Sequence, residues 1–380
     1  MSVPETSPYV RSGVDTGAGD RAVDLMKKAV QASHSSRVLG GLGGFAGLYD
    51  ASFMTSFQKP ILATSTDGVG TKVAIAQALD KHDTIGYDLV GMVVDDIVVV
   101  GATPLFMTDY IACGQVVPER IASIVEGIAK ACSDCGVSLV GGETAEHPGL
   151  LGPDDYDVAG AATGVVEASD LLGAHRVEPG DVVLALASSG LHSNGFSLVR
   201  KIVADAGWSY SGHRDDFSRE LGLELLEPTM LYTRALVATL VAHPGAIHSM
   251  SHVTGGGIAQ NLSRVLPEGL ALDVERSTWA PAPVFWVLAE AGGFSITDVE
   301  DTWNMGIGFC VVVAAAEADA VASTLTQHGH TAWRVGEIRA TDGTTPEGAI
   351  TEAKGVSGGA VRLVGTYLSS DFSSKSAHLS

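Results

Sequence analysis

The sequence predicts an α+β protein with two α/β-type domains, and three observations support this. Short apolar runs typical of strands alternate with amphipathic runs of helical spacing in both halves of the chain. A turn signal at 178–181 separates the halves and leads into a new apolar strand at 182–186. A length of 380 residues also favours two domains over one. We therefore predict an N-terminal domain at 1–172, a C-terminal domain at 173–345 and a partly disordered tail at 346–380.

The first half alternates between helical and strand patterns. A helix capped by Asp20 is predicted to run to about Ser33, before a glycine-rich loop at 40–47. An apolar strand then ends at Asp67. Beyond it we predict helices at 72–79, 84–101 and 118–135, strands at 105–112 and 138–140, and a β pair around 156–166.

The second half repeats this alternation, which predicts a second α/β domain. Helices are predicted near 194–206, 229–242, 257–265, 282–292 and 316–327. Strands are predicted at 182–186, 247–252, 270–274, 306–313 and 332–338. The last twelve residues, from Ser369, hold six serines, a composition typical of disorder.

Composition and charge argue against several classes of function. The formal net charge of −21 disfavours nucleic acid and anionic membranes as partners, because both require basic surfaces. Solubility or a salty cytoplasm would also explain this acidity. Cys132 and Cys135 form a C-x-x-C without a second cysteine pair, so buried thiols are favoured over zinc or redox chemistry. Neither a membrane-length apolar run nor a signal-peptide pattern is present, which predicts a cytoplasmic protein.

The strongest chemical signal is the segment that connects the strand ending at Asp67 to the following helix. A carboxylate at a strand end can bind a divalent cation, and Gly68 and Gly70 let backbone amides approach an anion. Thr71 and Lys72 open the helix, whose N-terminus favours negative charge. The segment predicts a metal–nucleotide site in which Asp67 and Lys72 are catalytic and Gly68, Gly70 and Thr71 bind the nucleotide.

The glycine-rich loop at 40–47 has two interpretations, a flexible turn or a phosphate contact. It matches neither the Walker A pattern nor G-x-G-x-x-G, which argues against a P-loop enzyme and a Rossmann dehydrogenase. Its place beside the Asp67 segment favours nucleotide contacts from Gly41, Gly43 and Gly44.

Further carboxylates occur where apolar residues would be expected. Asp95 and Asp96 interrupt an apolar helix, and Asp88 lies two helical turns before Asp95 on the same face. Buried carboxylates are costly unless they are paired or bind a cation, although a capping or solvated role is the alternative. Glu143 follows a strand through two glycines. With Asp67, these residues predict an acidic cluster in which Asp67, Asp95, Asp96 and Glu143 bind Mg²⁺.

Two loops of the second half each place a histidine shortly before a helix. A single histidine in such a loop is more often a structural hydrogen-bonding group than a catalyst. Two strand–loop–helix elements in one domain nevertheless suit a second anionic ligand, such as a sugar phosphate. The candidates are His192, Ser193 and Asn194 in one loop, and His252, Thr254, Gly255 and Gly256 in the other.

Taken in order, these segments resemble the phosphoribosylformylglycinamidine cyclo-ligase family, also called aminoimidazole ribonucleotide synthetases. The resemblance runs from about Tyr9 to about Ile338. It is carried by the segments 12–15, 40–45, 66–72, 82–86, 104–106, 141–146, 155–160, 192–195 and 254–257. One departure is Asp95, which stands where the family usually has Asn.

The resemblance implies a fold, an activity and a set of ligands. The N-terminal sheets of two subunits would close a shared barrel-like core in a homodimer, and the C-terminal domain would be mixed α/β. ATP and Mg²⁺ would bind near the dimer interface, with Lys27 as a further nucleotide contact. ATP would phosphorylate the formamide oxygen of the small-molecule substrate, and the amidine nitrogen would then close the imidazole ring. His192 and His252 are candidate proton acceptors, so we count both as catalytic.

Three alternatives make different demands on the sequence. Selenophosphate synthetase would need a reactive Cys near the N-terminal glycine loop, and no Cys precedes Cys113. Thiamine-phosphate kinase lacks the paired segments found here at 40–45 and 192–195. A non-catalytic nucleotide-binding paralogue is disfavoured because the glycine and carboxylate segments are complete.

Overall fold

A computed structural model describes residues 15–41 and 43–368, without the side chain of Thr16. The described residues form two compact units, 15–97 with 102–169, and 98–101 with 170–368. Two sequence predictions, the motif before Asp15 and the serine-rich end from Ser369, lie outside the described residues. No helix in the described part of the chain is long and apolar enough to cross a bilayer.

The helices of the first unit follow the predicted pattern closely. They are α1 (Thr16–Ser33), α2 (Val73–Leu79), α3 (Ile85–Val99) and α4 (Pro118–Cys135). The cap predicted at Asp20 is wrong, because the Asp15 carboxylate accepts hydrogen bonds from the Gly17 and Ala18 amides and starts the helix earlier. Pro118 at the first turn and Gly136 in the left-handed conformation set the two ends of α4.

A four-stranded sheet and a short hairpin complete the first unit. The hairpin pairs β1 (Val38–Leu39) with β2 (Leu48–Tyr49) and holds the glycine loop between them. The sheet strands are β3 (Pro60–Gly68), β4 (Thr103–Cys113), β5 (Ser138–Glu146) and β6 (Tyr156–Glu167). Their order is β3-β6-β4-β5, so β3 and β5 are the edges. The strand predicted at 138–140 therefore extends to Glu146 and carries Glu143 within the sheet.

The second unit contains a seven-stranded mixed sheet. The strands are β7 (Val182–Ala187), β10 (Ile247–His252), β11 (Leu270–Glu275), β12 (Ile307–Val313), β13 (Ala332–Ala340), β14 (Ile350–Ala353) and β15 (Val356–Val364); a separate small pair comprises β8 (His213–Arg214) and β9 (Arg219–Glu220). The helices are α5 (Phe196–Asp205), α6 (Leu221–Leu225), α7 (Thr233–Ala242), α8 (Gly257–Ser263), α9 (Pro283–Gly292) and α10 (Ala318–Gln327). The order of the large sheet is β10-β12-β7-β13-β11-β15-β14. The apolar strands β7 and β12 therefore lie inside it and form much of the core.

The tail predicted from residue 346 is wrong for its first part. Strand β15 pairs in parallel with β11 and antiparallel with β14, so it lies inside the sheet. Gly358 and Gly359 made strand β15 difficult to predict from the sequence, since glycine is rare in strand interiors. Both are needed here, because a Cβ at either would come within 3.1 Å of backbone atoms of residues 263–270. Both domains are mixed α/β, as predicted.

Candidate active site

One row of residues crosses the sheet of the first unit from edge to edge. Asp67 on β3 pairs with Gly160 on β6, Gly160 pairs with Asp109 on β4, and Asp109 pairs with Gly142 on β5. The two aspartates are thus separated by one strand, about 10 Å at the usual strand spacing. Asp67 is exposed at the end of its strand, and its carboxylate accepts a 2.7 Å hydrogen bond from the Gly68 amide.

Lys72 directly precedes helix α2, at the end of a short turn at Gly70–Lys72. Its side chain is fully buried, and its Nζ donates a 2.7 Å hydrogen bond to Oδ1 of Asp88, which is equally buried. This buried pairing disfavours a contact between Lys72 and a nucleotide, and the catalytic role of Lys72 stays a prediction.

The three aspartates of α3 have different environments. Asp88 and Asp95 are both fully buried, as expected for residues two helical turns apart on one face. Asp96 is half-buried. The burial of Asp95 disfavours direct contact with a metal ion that enters from solvent, and its metal-binding role stays a prediction. The metal-binding role of Asp96 likewise stays a prediction.

Glu143 is exposed on β5, at the opposite edge of the sheet from Asp67. Three strand spacings separate these edges, about 14 Å, which is too far for two carboxylates to share one ion. Among the described residues, no group of three His, Cys, Asp or Glu side chains is placed to hold a metal ion. The predicted acidic cluster is therefore not assembled within this chain.

A cavity of about 710 Å³ lies beside the sheet in the first unit. This size is typical of small-molecule sites. Its walls come from α1 at 19–30, the glycine loop at 41–47, β4 at 108–109, β5 at 139–144 and Val125 of α4. Gly41, Gly43 and Gly44 line it, and their contact with a nucleotide stays a prediction. Lys27 is an exposed residue of α1 and is not part of this wall.

Asp109 is a cavity residue that the sequence analysis missed. It is 8% exposed, and burial raises the pKa of its carboxyl to about 7. A Cβ added at Gly142 would lie 1.8 Å from Asp109 Oδ1, so this carboxyl occupies the space that a side chain at position 142 would take. The available signal was strand alternation, because Met107, Asp109 and Ile111 share the buried face.

The first histidine loop of the second unit is held by its own hydrogen bonds. His192 is 2% exposed, has a φ of 58°, and its Nε2 accepts a 3.2 Å hydrogen bond from the Ser189 amide. Its ring lies 6.2 Å from that of Tyr232, whose hydroxyl donates to the carbonyl of Ala187. Gly195 in the left-handed conformation then starts α5.

The second histidine loop meets the first. A Cβ added at Gly255 would lie 3.4 Å from Oδ1 of Asn194. Asn261 fixes the second loop, since its Nδ2 donates to the carbonyls of Thr254 (3.1 Å) and Gly257 (2.8 Å). His252 is 5% exposed and stacks on Phe309. The structure thus brings Asn194 and Gly255 together and buries both histidines.

Family models match most of the chain. The AIR synthase related protein N-terminal domain matches residues 49–166, and the AIR synthase related protein C-terminal domain matches residues 178–348. Phosphoribosylformylglycinamidine cyclo-ligase from Brevibacillus brevis is 46% identical over 333 residues, covering 87% of this chain and 95% of its own. The chain belongs to the phosphoribosylformylglycinamidine cyclo-ligase family. The predicted family is confirmed.

Other relatives agree with this assignment. The cyclo-ligase from Shouchella clausii is 45% identical over 340 residues, covering 89% of this chain and 98% of its own. Among solved structures, thiamine-monophosphate kinase from Stenotrophomonas maltophilia has a TM-score of 0.62 at 17% identity, covering 90% of this chain and 97% of its own. The hydrogenase maturation protein HypE from E. coli has a TM-score of 0.60 at 19% identity, covering 90% and 94%. At such identities the structures establish a shared fold and nothing about substrate.

Proposed function

We propose that this chain catalyses ATP-dependent cyclisation of phosphoribosylformylglycinamidine to aminoimidazole ribonucleotide, a step of purine biosynthesis. The observation that carries this proposal is the relationship to cyclo-ligases along nearly their whole length, 95% of the Brevibacillus brevis relative. Both histidine loops fall within the matched C-terminal domain, residues 178–348. A biosynthetic enzyme acting on small molecules also suits the predicted cytoplasmic location.

The proposed chemistry has two steps. The formamide oxygen attacks the γ-phosphorus of ATP, forming an O–P bond and releasing ADP, because an amide oxygen leaves poorly until it is phosphorylated. The amidine nitrogen then bonds to the formyl carbon, the C–O bond breaks, and inorganic phosphate leaves with the electron pair. A proton lost from nitrogen completes the aromatic ring. Positioning and charge neutralisation are the main demands on the protein.

The described residues fit a metal–nucleotide complex in part. Mg²⁺ usually takes one or two carboxylates together with nucleotide oxygens, so it needs no three-residue cluster. Asp67 is accessible at its strand end, and Asp96 and Glu143 are at least partly exposed. Bound Mg²⁺ would neutralise phosphate charge. The glycine loop, Gly68, Gly70 and Thr71 would supply backbone amides, with Lys27 as a contact from α1.

We assign the sugar phosphate of the substrate to the second unit. The loops at 188–195 and 252–257 meet at Asn194 and Gly255, and both carry hydroxyls and backbone amides. Ser193, Thr254 and Gly256 would contribute to this contact. His192 and His252 are proposed proton acceptors, although burial and the Ser189 hydrogen bond to His192 also suit a role in holding the loops.

We propose that the enzyme is a homodimer joined through the first unit, whose sheets would close a shared barrel-like core. Leu62 on the edge strand β3 is 61% exposed, and Tyr110 on β4 is 42% exposed. An exposed edge strand beside apolar side chains is a surface that proteins usually cover. Sedimentation at micromolar concentration should give a dimer. A species of about 39 kDa alone would contradict this proposal.

A turnover assay separates this function from its alternatives. The chain should consume ATP and form phosphate and aminoimidazole ribonucleotide in equal amounts when phosphoribosylformylglycinamidine is supplied. ATP binding without turnover would favour a non-catalytic paralogue. ATP consumption with thiamine phosphate or selenide instead would favour another member of the superfamily.

A further inference from the structure

Asp109 presents a buried carboxyl to the cavity without a positive partner. Within the described residues, no Lys, Arg or His side chain pairs with it, and its one hydrogen bond is with its own backbone. The described residues that line the cavity also include no basic side chain. Since buried charges in proteins are nearly always paired, this carboxyl lacks the counter-charge that its position demands.

The surroundings of Asp109 define the shape and charge of a ligand. Ala22, Met26 and Val30 of α1 and Leu139 of β5 form buried apolar walls. Among the described residues, the Cys132 thiol of α4 interacts with Asp109, and the other titratable groups on the cavity wall are the carboxyls of Asp20 and Glu143. These groups are all acidic or neutral. A bare anion is disfavoured here, whereas a flat organic cation finds apolar walls and a carboxylate.

The structure assigns a new binding role on this basis: we propose that Asp109 binds an amidinium group, the planar N–C–N cation of the substrate. A carboxylate and an amidinium form two parallel N–H···O hydrogen bonds, the geometry that makes arginine–carboxylate pairs specific. Gly142 supports this role because its missing side chain leaves space for the carboxyl beside the strand.

This inference rests on the proposed function, which supplies a substrate with an amidine. The amidine nitrogen is the atom that closes the ring, so the residue that holds the amidine also orients the attacking atom. The raised pKa of Asp109, about 7, agrees with a carboxyl that is desolvated and lacks a positive neighbour. A bound amidinium would stabilise the ionised form and lower that pKa.

The first test uses the intact wild-type protein and two small probes, acetamidinium and acetamide. They have the same shape, but only acetamidinium carries a positive charge. Acetamidinium should inhibit turnover competitively with phosphoribosylformylglycinamidine, at least ~10-fold more strongly than acetamide, as expected for a charge-assisted hydrogen bond. Equal inhibition by the two probes, or inhibition competitive with ATP instead, would overturn the assignment.

The second test uses Asp109→Asn, which keeps the shape and removes the charge, with Asp24→Asn as the matched control. Asp24 is an exposed carboxyl on α1 that does not line the cavity. Asp109→Asn should raise the KM for the amidine substrate by ~30-fold or more, leave the KM for ATP within about twofold, and abolish the preference for acetamidinium. The control should match the wild type in all three.

Other outcomes of these tests would overturn the inference or separate it from the proposed function. An unchanged substrate KM in a folded Asp109→Asn variant would overturn the inference, as would an altered Mg²⁺ requirement with unchanged substrate KM. If the variant does not fold, Gly142→Ala replaces it, because the added Cβ must displace the Asp109 carboxyl and should raise the substrate KM likewise. Calorimetric binding of acetamidinium needs no turnover. An inactive wild type that binds acetamidinium but not acetamide would therefore refute the proposed function and retain this site.

Discussion

Two buried aspartates of the first unit, Asp88 and Asp109, differ in whether a basic side chain pairs with their carboxylates. Asp88 on α3 is fully buried and pairs with Lys72 at 2.7 Å. Asp109 on β4 is almost as buried and has no basic partner among the described residues, but it lines a cavity. The comparison indicates that the first carboxylate serves the fold, whereas the second is available to a ligand.

Breaking the internal pair should have the largest effect. Lys72→Met leaves the Asp88 charge buried without its lysine, so we expect a loss of about 3–5 kcal/mol in the free energy of unfolding. Urea denaturation monitored by circular dichroism measures this. Lys81→Met is the control, because its ion pair with Asp83 is at the surface and should be worth less than about 1 kcal/mol. A stable Lys72→Met protein with impaired ATP binding would instead support Lys72 as a nucleotide contact.

An exposed carboxylate should behave in the opposite way. Asp67→Asn should leave unfolding unchanged but lower turnover by roughly 10²-fold or more, equivalent to ~3 kcal/mol of lost charge stabilisation. Steady-state kinetics at saturating ATP and Mg²⁺ measures this, with denaturation as the folding check. Near-normal turnover in a folded variant would remove Asp67 from the active site.

The unpaired carboxyl predicts an unusual pH dependence of stability. Asp109 has a pKa of about 7 in the folded protein, against about 3.9 for an unfolded chain. The unfolded chain releases this proton at about pH 4, whereas the folded protein holds it up to about pH 7. The contribution of Asp109 to the free energy of unfolding therefore falls as the pH rises from about 4 to about 7. Asp109→Asn should stabilise the ligand-free protein at pH 7.5 by roughly 2–4 kcal/mol, with little difference near pH 4. Parallel stability curves for the two proteins would contradict this.

The smallest effect is expected in the second unit. Gly255→Ala adds a Cβ 3.4 Å from Asn194 Oδ1, an ordinary contact that reduces the room between the two loops. The substrate KM should rise about 3-fold to 10-fold, and the KM for ATP should not change. A change in the ATP KM alone would move the nucleotide to these loops and remove the histidine roles with it.

The sequence predicted what depends on local pattern. Helix α3 and the strand that ends at Asp67 were identified because apolar spacing and turn residues are short-range signals. The location of the two loops before α5 and α8 followed from their glycines in the same way.

Local sequence patterns could not predict contacts between residues far apart in the chain. Lys72 lies sixteen residues from Asp88, so nothing local revealed that it is neutralised inside the protein. Asp67 and Glu143 both lie in or at the end of strands, but the strand order that separates them follows from tertiary pairing. Asp109 was detectable as a polar residue on a buried strand face, yet its cavity is closed by α1 and a glycine loop far along the chain.

The comparison between the paired and the unpaired carboxylate is tested most directly by unfolding wild type and Asp109→Asn at pH 7.5, with and without phosphoribosylformylglycinamidine. Without substrate the variant should be the more stable protein. Saturating substrate should stabilise the wild type by about 2 kcal/mol more than the variant, the equivalent of a ~30-fold difference in Kd. Equal stabilisation of both proteins by the substrate would contradict the account.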